Sequence, residues 1–248
     1  MTKVVLFANG IVGYKVFKYI LKSSDDVSLL VLNNKEDQRC GERLINLANK
    51  KCIQYLTFEN LNVQKIEYLK PNIGISAYFG NILKADIINC FPQGIINLHP
   101  SYLPYNQGRN TNVWPLIDNS PAGVTIHKID TGVDTGLILI QKIVEIYQTD
   151  TAKTLYKRLE KEMFKLFALN WNRLKNEKIK LVQQPKKGTK HLGHELSKLK
   201  ILDLEEKMTM REAINRLRAC TFSPFPGATF NIEKKSYEIE IKIREVKK

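Results

Sequence analysis

Ile95-Ile96-Asn97-Leu98-His99-Pro100-Ser101-Tyr102-Leu103-Pro104 is the stretch on which the fold turns. Gly94–Leu98 is a run of strand length that is apolar apart from Asn97, and it stops at a polar, proline-punctuated loop. Alternation with a period of two puts Asn97 and His99 on one side, at the carboxyl end of that strand. A buried Asn must find hydrogen-bond partners or cost a few kcal/mol. An amide and an imidazole on one patch supply a donor beside a titratable group.

Working toward the N-terminus, Val4–Phe7, Val27–Leu32, Ile53–Leu56 and Ile73–Tyr78 read as further strands. Helical spacing runs from Ile11 to Leu21, and over Arg43–Lys50, Val63–Leu69 and Ala85–Cys90. Mostly apolar strands separated by helices predict an α/β fold with a doubly wound, mostly parallel sheet covered on both faces. Ligands of such sheets bind beyond the carboxyl ends of the strands, which marks the loop after Leu98 before any motif is named.

Toward the C-terminus, a short helix at Val113–Ile117 precedes strands at Val124–Ile129 and Leu137–Ile146. Between these strands lies Asp130-Thr131-Gly132-Val133-Asp134-Thr135-Gly136, a cluster of turn formers. Ala152, Leu155, Tyr156, Leu159, Met163, Phe167 and Leu174 form one stripe, so Thr151 to Lys175 is a long amphipathic helix. Trp114 and Trp171 read as core residues. Gln183–Gly188 reads as a polar linker, Arg211–Cys220 as a helix, and Ala228–Ile232 with Tyr237–Val246 as a hairpin. The chain thus divides into a domain over 1–182 and a small C-terminal extension, helix plus β-hairpin, over 183–248.

Composition sets the outer bounds. The 248 residues carry 39 Lys and Arg against 25 Asp and Glu, a net charge of +14, and 43% are apolar. Wholesale disorder is excluded. No apolar run reaches the length of a membrane span or a signal-peptide core. Cys40, Cys52, Cys90 and Cys220 are scattered, against a disulfide framework or zinc ribbon, and a cytoplasmic location is expected. The positive charge favours an anionic partner: nucleic acid, a phosphorylated small molecule or a membrane surface. The Lys-rich stretch 175–190 and the Lys247-Lys248 tail read mainly as solvated faces.

Asn97, His99 and Asp134 stand out as an acid/base set with an oxyanion donor. The plainer reading makes Asn97 a turn former and His99 a satisfied histidine. Asp-x-Gly-x-Asp-x-Gly at 130–136 has a calcium-loop flavour but lacks the terminal Glu and the length of an EF-hand. Asn9-Gly10-Ile11-Val12-Gly13 follows the first strand; its Gly-x-x-Gly spacing suits either a phosphate at a helix start or a tight turn. His127 is read as positioning substrate or as structural. His191-Leu192-Gly193-His194 has metal-like spacing without further ligands, and no metal is assigned.

Asn97-Leu98-His99-Pro100-Ser101-Tyr102-Leu103-Pro104, followed by Gly123-Val124-Thr125-Ile126-His127 and Asp130 to Gly136, resembles the N10-formyltetrahydrofolate-dependent formyltransferase family. The resemblance spans about residues 1–150 and is dense over 73–145. It implies a Rossmann-like core, with catalytic roles for Asn97, His99 and Asp134. It also implies N10-formyltetrahydrofolate as formyl donor. The segment Tyr78 to Leu83, through Asn81, Ile82 and Leu83, would hold the pterin ring; Asp130, Thr131, Gly132 and Val133, with Asp134, would form the folate loop. Asn97 and His99 would steady the oxyanion, while Asp134 orients His99 and helps move the amine proton. Acceptor-side candidates are Asn9, Gly10, Tyr105, Gly108 and Arg109. The chain departs from many relatives here, with Gln107-Gly108-Arg109 in place of Arg-Gly.

The tail separates the branches. About sixty residues after the linker are too few for the tRNA-gripping barrel of methionyl-tRNA formyltransferases, and the +14 charge pulls the other way. Leu217 to Ala228, with Arg218, Phe222, Pro224, Phe225, Gly227 and Ala228, resembles an element found after the core of sugar N-formyltransferases. The expected acceptor is the amine of a nucleotide-linked aminodeoxy sugar for surface glycans. A pseudaminic-acid-type precursor and a 4-amino-4,6-dideoxyhexose are the two kinds. Formylation domains of peptide synthetases rank lower, and a homodimer is expected. The non-enzymatic alternative is a basic RNA-binding module on an inactive formyltransferase fold.

Overall fold

The computed structural model describes residues 1–246; Lys247 and Lys248 lie outside the described residues. In chain order the elements are β1 (Lys3–Ala8), α1 (Gly10–Ile20), β2 (Asp26–Leu32), α2 (Gly41–Lys50), β3 (Tyr55–Thr57), α3 (Val63–Leu69), β4 (Ile73–Ala77), α4 (Ala85–Ile88) and β5 (Ile95–His99). There follow β6 (Gln107–Gly108), α5 (Trp114–Asp118), β7 (Gly123–Lys128), β8 (Ile138–Ile143), α6 (Ala152–Lys175), β9 (Lys190–His191), α7 (Gly193–Leu199), α8 (Met210–Cys220), β10 (Ala228–Ile232) and β11 (Lys235–Ile239).

Seven strands form the main sheet in the order β3-β2-β1-β4-β5-β7-β8. From β3 to β5 every pairing is parallel, and β7 runs antiparallel to β5. This is a mixed α/β, Rossmann-like sheet. Val4 to Phe7, Leu29 to Val31 and Ile73 to Ile75 contain the buried runs that two covered faces demand. One core cluster gathers Phe7, Val31, Ile66, Leu83, Phe91 and Ile95. Gly13 lets α1 lie close against β1, since a Cβ there would come within 3.0–3.2 Å of Ala8.

Two compact units divide the described residues. The first comprises Met1–His99, Val124–Lys142 and Glu160–Gln184; the second comprises Pro100–Gly123, Ile143–Leu159 and the chain from Pro185 onward. In the first, Asp25 is an anchor for the C-terminal half of α6. It accepts from Trp171 Nε1 at 2.8 Å and from Lys175 Nζ at 2.8 and 2.9 Å. In the second, Asp150 accepts two bonds from Arg158, at 2.7 and 2.8 Å, while buried Arg218 donates to the Tyr147 carbonyl at 3.1 Å. Burial pushes the Arg218 guanidinium below its ordinary pKa, and the nearby Asp150 carboxylate acts in the opposite direction.

The stripe expected on α6 is realised: Ala152, Leu155, Leu159, Met163, Phe167 and Leu174 are buried, and Tyr156 is half-buried. Trp114 and Trp171 are buried as well. Three local expectations need correction. The strand read over Leu137–Ile146 is shorter, ending at Ile143. That read over Tyr237–Val246 stops at Ile239, because β10 begins at Ala228, opposite Ile239, and Pro226-Gly227 precede it. The polar stretch 183–188 holds a buried residue, Gln184, although Lys178, Lys180, Lys186, Lys187 and Lys190 around it are exposed as expected. Helix α7 and strand β9 went unread, since neither presents an apolar period of useful length.

Candidate active site

Antiparallel pairing of β5 and β7 sets Asn97 opposite His127 and His99 opposite Thr125. Residues facing each other across such a pair project from the same face of the sheet. Asn97 Nδ2 lies 3.1 Å from His127 Nε2 and 3.2 Å from Asp134 Oδ1. His127 Nδ1 lies 2.8 Å from the Lys128 carbonyl, which only accepts. Nδ1 therefore carries the proton, and Nε2 of the neutral ring accepts from Asn97. Both hydrogens of the Asn97 amide are accounted for in this way.

Asp134 completes the set. Its Oδ1 lies 3.4 Å from His99 Nδ1 and 3.6 Å from His127 Nε2, with His99 and His127 almost fully buried. The three sequence-predicted residues Asn97, His99 and Asp134 thus come together, within the first compact unit. His127 joins them as the group that fixes the Asn97 amide. Its signal was available in the sequence as a histidine beside the turn, but its partner depended on the β5–β7 register.

The turn that delivers Asp134 is built from its own side chains. Asp130 Oδ1 accepts from the Gly132 amide at 3.1 Å and from Thr135 Oγ1 at 2.7 Å. Asp134 itself has φ 57°, the left-handed region that non-glycine residues rarely occupy. Such a backbone costs on the order of 1–3 kcal/mol and persists only where its surroundings impose it. Gly136 passes so close to β7 that a Cβ there would sit 1.9 Å from the Lys128 carbonyl oxygen. Gln184 Nε2 donates to the carbonyls of Asp134 and Gly136, both at 2.8 Å. Nothing in the polar sequence around Gln184 announces this.

The donor-side candidates occupy the carboxyl edge of β4 and this same turn. Phe79 packs edge-on against Phe7 and Phe58, with ring centroids 5.5 and 5.6 Å apart, which ties the 78–83 segment to the core. Leu83 is buried in that core, whereas Ile82 is 71% exposed. Asn81 Nδ2 is buried and has no hydrogen-bond partner among the described residues. A buried donor without a partner is costly, and a polar heterocycle such as a pterin has the acceptors to satisfy it. The residues present therefore fit the folate donor. Asp130, Thr131 and Gly132 are exposed, leaving the turn open to contact.

The acceptor-side candidates fall in both units. Asn9 caps α1: its Oδ1 accepts from the Gly10 amide at 3.0 Å and the Arg39 amide at 2.7 Å, while its Nδ2 donates to the Asp37 carbonyl. Its side chain is committed to local structure, and Gly10 takes φ 63° at the same turn. In the second unit, Gly108 belongs to β6, which pairs with β9, and the Arg109 amide donates to the His191 carbonyl at 3.1 Å. Tyr105 is half-buried and Arg109 exposed. His191 stacks on Trp114 at 3.9 Å and pairs with Glu195 at 2.9 Å.

Two family models match the chain. A model described as formyl transferase matches residues 18–169, and one described as N-formyltransferase dimerization C-terminal domain matches residues 195–245. Gln184 falls between the two spans. GDP-perosamine N-formyltransferase of Brucella melitensis is 28% identical over 221 residues, covering 85% of this chain and 81% of that protein. Among solved structures, a 4-N formyltransferase from Francisella tularensis superposes with a TM-score of 0.87 at 24% identity, over 99% of each chain. An N-formyltransferase from Helicobacter canadensis, in complex with folinic acid and dTDP-3-aminofucose, gives a TM-score of 0.75 at 25% identity. That match covers 94% of this chain and 85% of the other.

Proposed function

Because the chain belongs to the formyl transferase family, we propose that it carries a formyl group from N10-formyltetrahydrofolate to the amine of a nucleotide-linked aminodeoxy sugar. The acceptor is a 4-amino-4,6-dideoxyhexose or a pseudaminic-acid-type precursor, and the product serves surface glycans. The observation that carries the reading is the convergence of Asn97 Nδ2 and His99 Nδ1 on one oxygen of Asp134. The names of the relatives support the class of acceptor: one acts on GDP-perosamine, and another was solved with dTDP-3-aminofucose.

The donor supplies an activated one-carbon acyl group. Asn81 with its neighbours, and the Asp130–Val133 turn, would hold it. The protein's own part is placement and electrostatics. In the ligand-free site Asn97 gives one N–H to His127 and the other to Asp134, so a developing oxyanion would take over the N–H now given to Asp134 while His127 holds the other. A donor aimed at developing oxyanion charge is typically worth about 3 kcal/mol. Asp134 Oδ1 is the proton acceptor of the site and holds His99 through Nδ1, so that His99 presents its other nitrogen outward from this pair. On the acceptor side, Tyr105, Gly108 and Arg109, with the backbone of Asn9 and Gly10, remain the candidate contacts. Residues 1–182 act as the transfer domain, and 183–248 pair two copies into a homodimer, as the matched dimerization model suggests.

No helix among the described residues is long and apolar enough to cross a membrane. The deciding experiment offers purified protein N10-formyltetrahydrofolate with dTDP-, UDP-, GDP- and CMP-linked aminosugars, free aminosugars and Met-tRNA, and reads products by mass. One formyl mass gained on a nucleotide-linked sugar is the expected result. Transfer to Met-tRNA alone would overturn the acceptor reading and leave the chemistry.

A further inference from the structure

We infer that Gln184 is a positioning residue, holding Asp134 in the conformation that faces Asn97 and His99. The inference rests on the reading of Asp134 as the working carboxylate. Gln184 arrives through a backbone bridge: the Ile138 amide donates to the Val182 carbonyl at 2.8 Å, and the Val182 amide returns the bond at 2.9 Å. That bridge carries the end of the segment after α6 alongside β8 and turns Gln184 inward, leaving it only 9% exposed while Gln183 stays exposed.

The placement suits one task. A primary amide has two N–H donors, and Gln184 Nε2 spends them on the Asp134 and Gly136 carbonyls, which flank Thr135. Asp134 sits in the left-handed region between an exposed turn and a glycine jammed against Lys128. The Asp130 contacts close the first half of the turn, at Gly132 and Thr135. Gln184 closes the second half, where the carboxylate leaves the backbone. Without it the Asp134 and Gly136 carbonyls lose their shared donor, and the left-handed backbone loses a support that comes from outside the turn.

The test compares wild type with Gln184→Met, Gln184→Glu, Gln183→Ala and Asp134→Asn. Met and Glu keep the length of the side chain and remove its N–H pair; Glu also brings an anion against two carbonyl oxygens. In the ligand-free protein, amide hydrogen exchange of the 128–137 segment should quicken in both Gln184 variants and stay unchanged in Gln183→Ala. With N10-formyltetrahydrofolate and the nucleotide-linked aminosugar that the wild type formylates, kcat should fall about thirtyfold in Gln184→Met. It should fall further in Gln184→Glu, with a smaller change in the KM for the donor. Unchanged exchange overturns the inference, as does wild-type kcat, or a loss confined to KM. Should Gln184→Glu fail to fold, Gln184→Met decides alone, since it adds no charge. An active Asp134→Asn variant would instead overturn the underlying reading of Asp134, which separates the two failures.

Discussion

Asn97 and Asp134 touch through Nδ2 and Oδ1 at 3.2 Å, so the site's neutral donor and its carboxylate are held as one unit. Asp134→Asn is the clean way to dissect it. Asn tolerates the left-handed backbone that Asp134 occupies and keeps an accepting oxygen, so the turn survives while the charge and the capacity to take up a proton are lost. Turnover should fall by roughly 10²–10⁴, the usual range for removing a general acid or base. Circular dichroism should be unchanged. Steady-state formyl transfer with mass detection reads the first, and near-wild-type turnover would end the assignment of Asp134 as proton acceptor.

His127 orients rather than reacts. Its Nδ1 is taken by the Lys128 carbonyl and its Nε2 by Asn97, so no ring nitrogen remains for a substrate. His127→Asn keeps a donor near the place of Nδ1 and has no group at that of Nε2. The loss of one neutral hydrogen bond is worth about 1 kcal/mol, or roughly five- to tenfold in kcat. KM for the sugar should stay within about twofold. A rise in KM with kcat intact would instead make His127 a substrate contact.

How far this site was legible depends on which interactions are local. Asn97 and His99 share a face by strand alternation alone, and both could be placed at the carboxyl end of β5 from the sequence. Asp134 stands out as a carboxylate in a cluster of turn formers, but no pattern says that a turn after β7 folds back onto β5, and its role rested on likeness to a family. The link from His127 to Asn97 needs the antiparallel register of β7, and an apolar strand reads alike in either direction. Gln184 was invisible for a stronger reason. Its environment is created by the Ile138–Val182 bridge, and polar, Lys-rich sequence gives no periodicity from which to place such a bridge. The parallel half of the sheet posed no such difficulty, because buried runs such as Leu29-Leu30-Val31 admit few other assignments.

Acid should loosen the α6 anchor. Burial alone would raise the Asp25 carboxyl, but Lys175, Trp171, the Thr2 amide and Ser23 outweigh it and bring it from 3.8 to about 2. A carboxylate with a depressed folded-state pKa adds stability that is fully present above its unfolded value and is lost as pH falls through the folded one. The contribution therefore stands above about pH 4 and disappears toward about pH 2, and it amounts to roughly 2 kcal/mol. Asp25→Asn removes the partner of Lys175 and should cost about 3 kcal/mol at neutral pH. Urea unfolding of both proteins from pH 7 to pH 2 should show the gap narrowing over that acid window. A gap that is constant with pH would mean that Asp25 contributes through packing alone.

Asn81 is the most economical probe of the donor site. Its buried Nδ2 has no partner among the described residues, so the ligand-free protein carries the cost of an unmet donor. A folate that accepts from it relieves that cost as it binds. Ligand binding to the native state stabilises by RT ln(1+[L]/Kd), about 2.7 kcal/mol at a hundredfold excess over Kd. Folinic acid should therefore raise the Tm of the wild type. Asn81→Leu removes the amide while keeping its branched shape. Two opposite shifts are expected from it: a ligand-free Tm at or above that of the wild type, and a weaker rise on adding folinic acid. Loss of about 1 kcal/mol of binding would appear as roughly a fivefold increase in Kd by titration calorimetry. Equal folate affinity in the two proteins would remove Asn81 from the donor site. A lowered ligand-free Tm would show instead that the amide is satisfied by the protein itself.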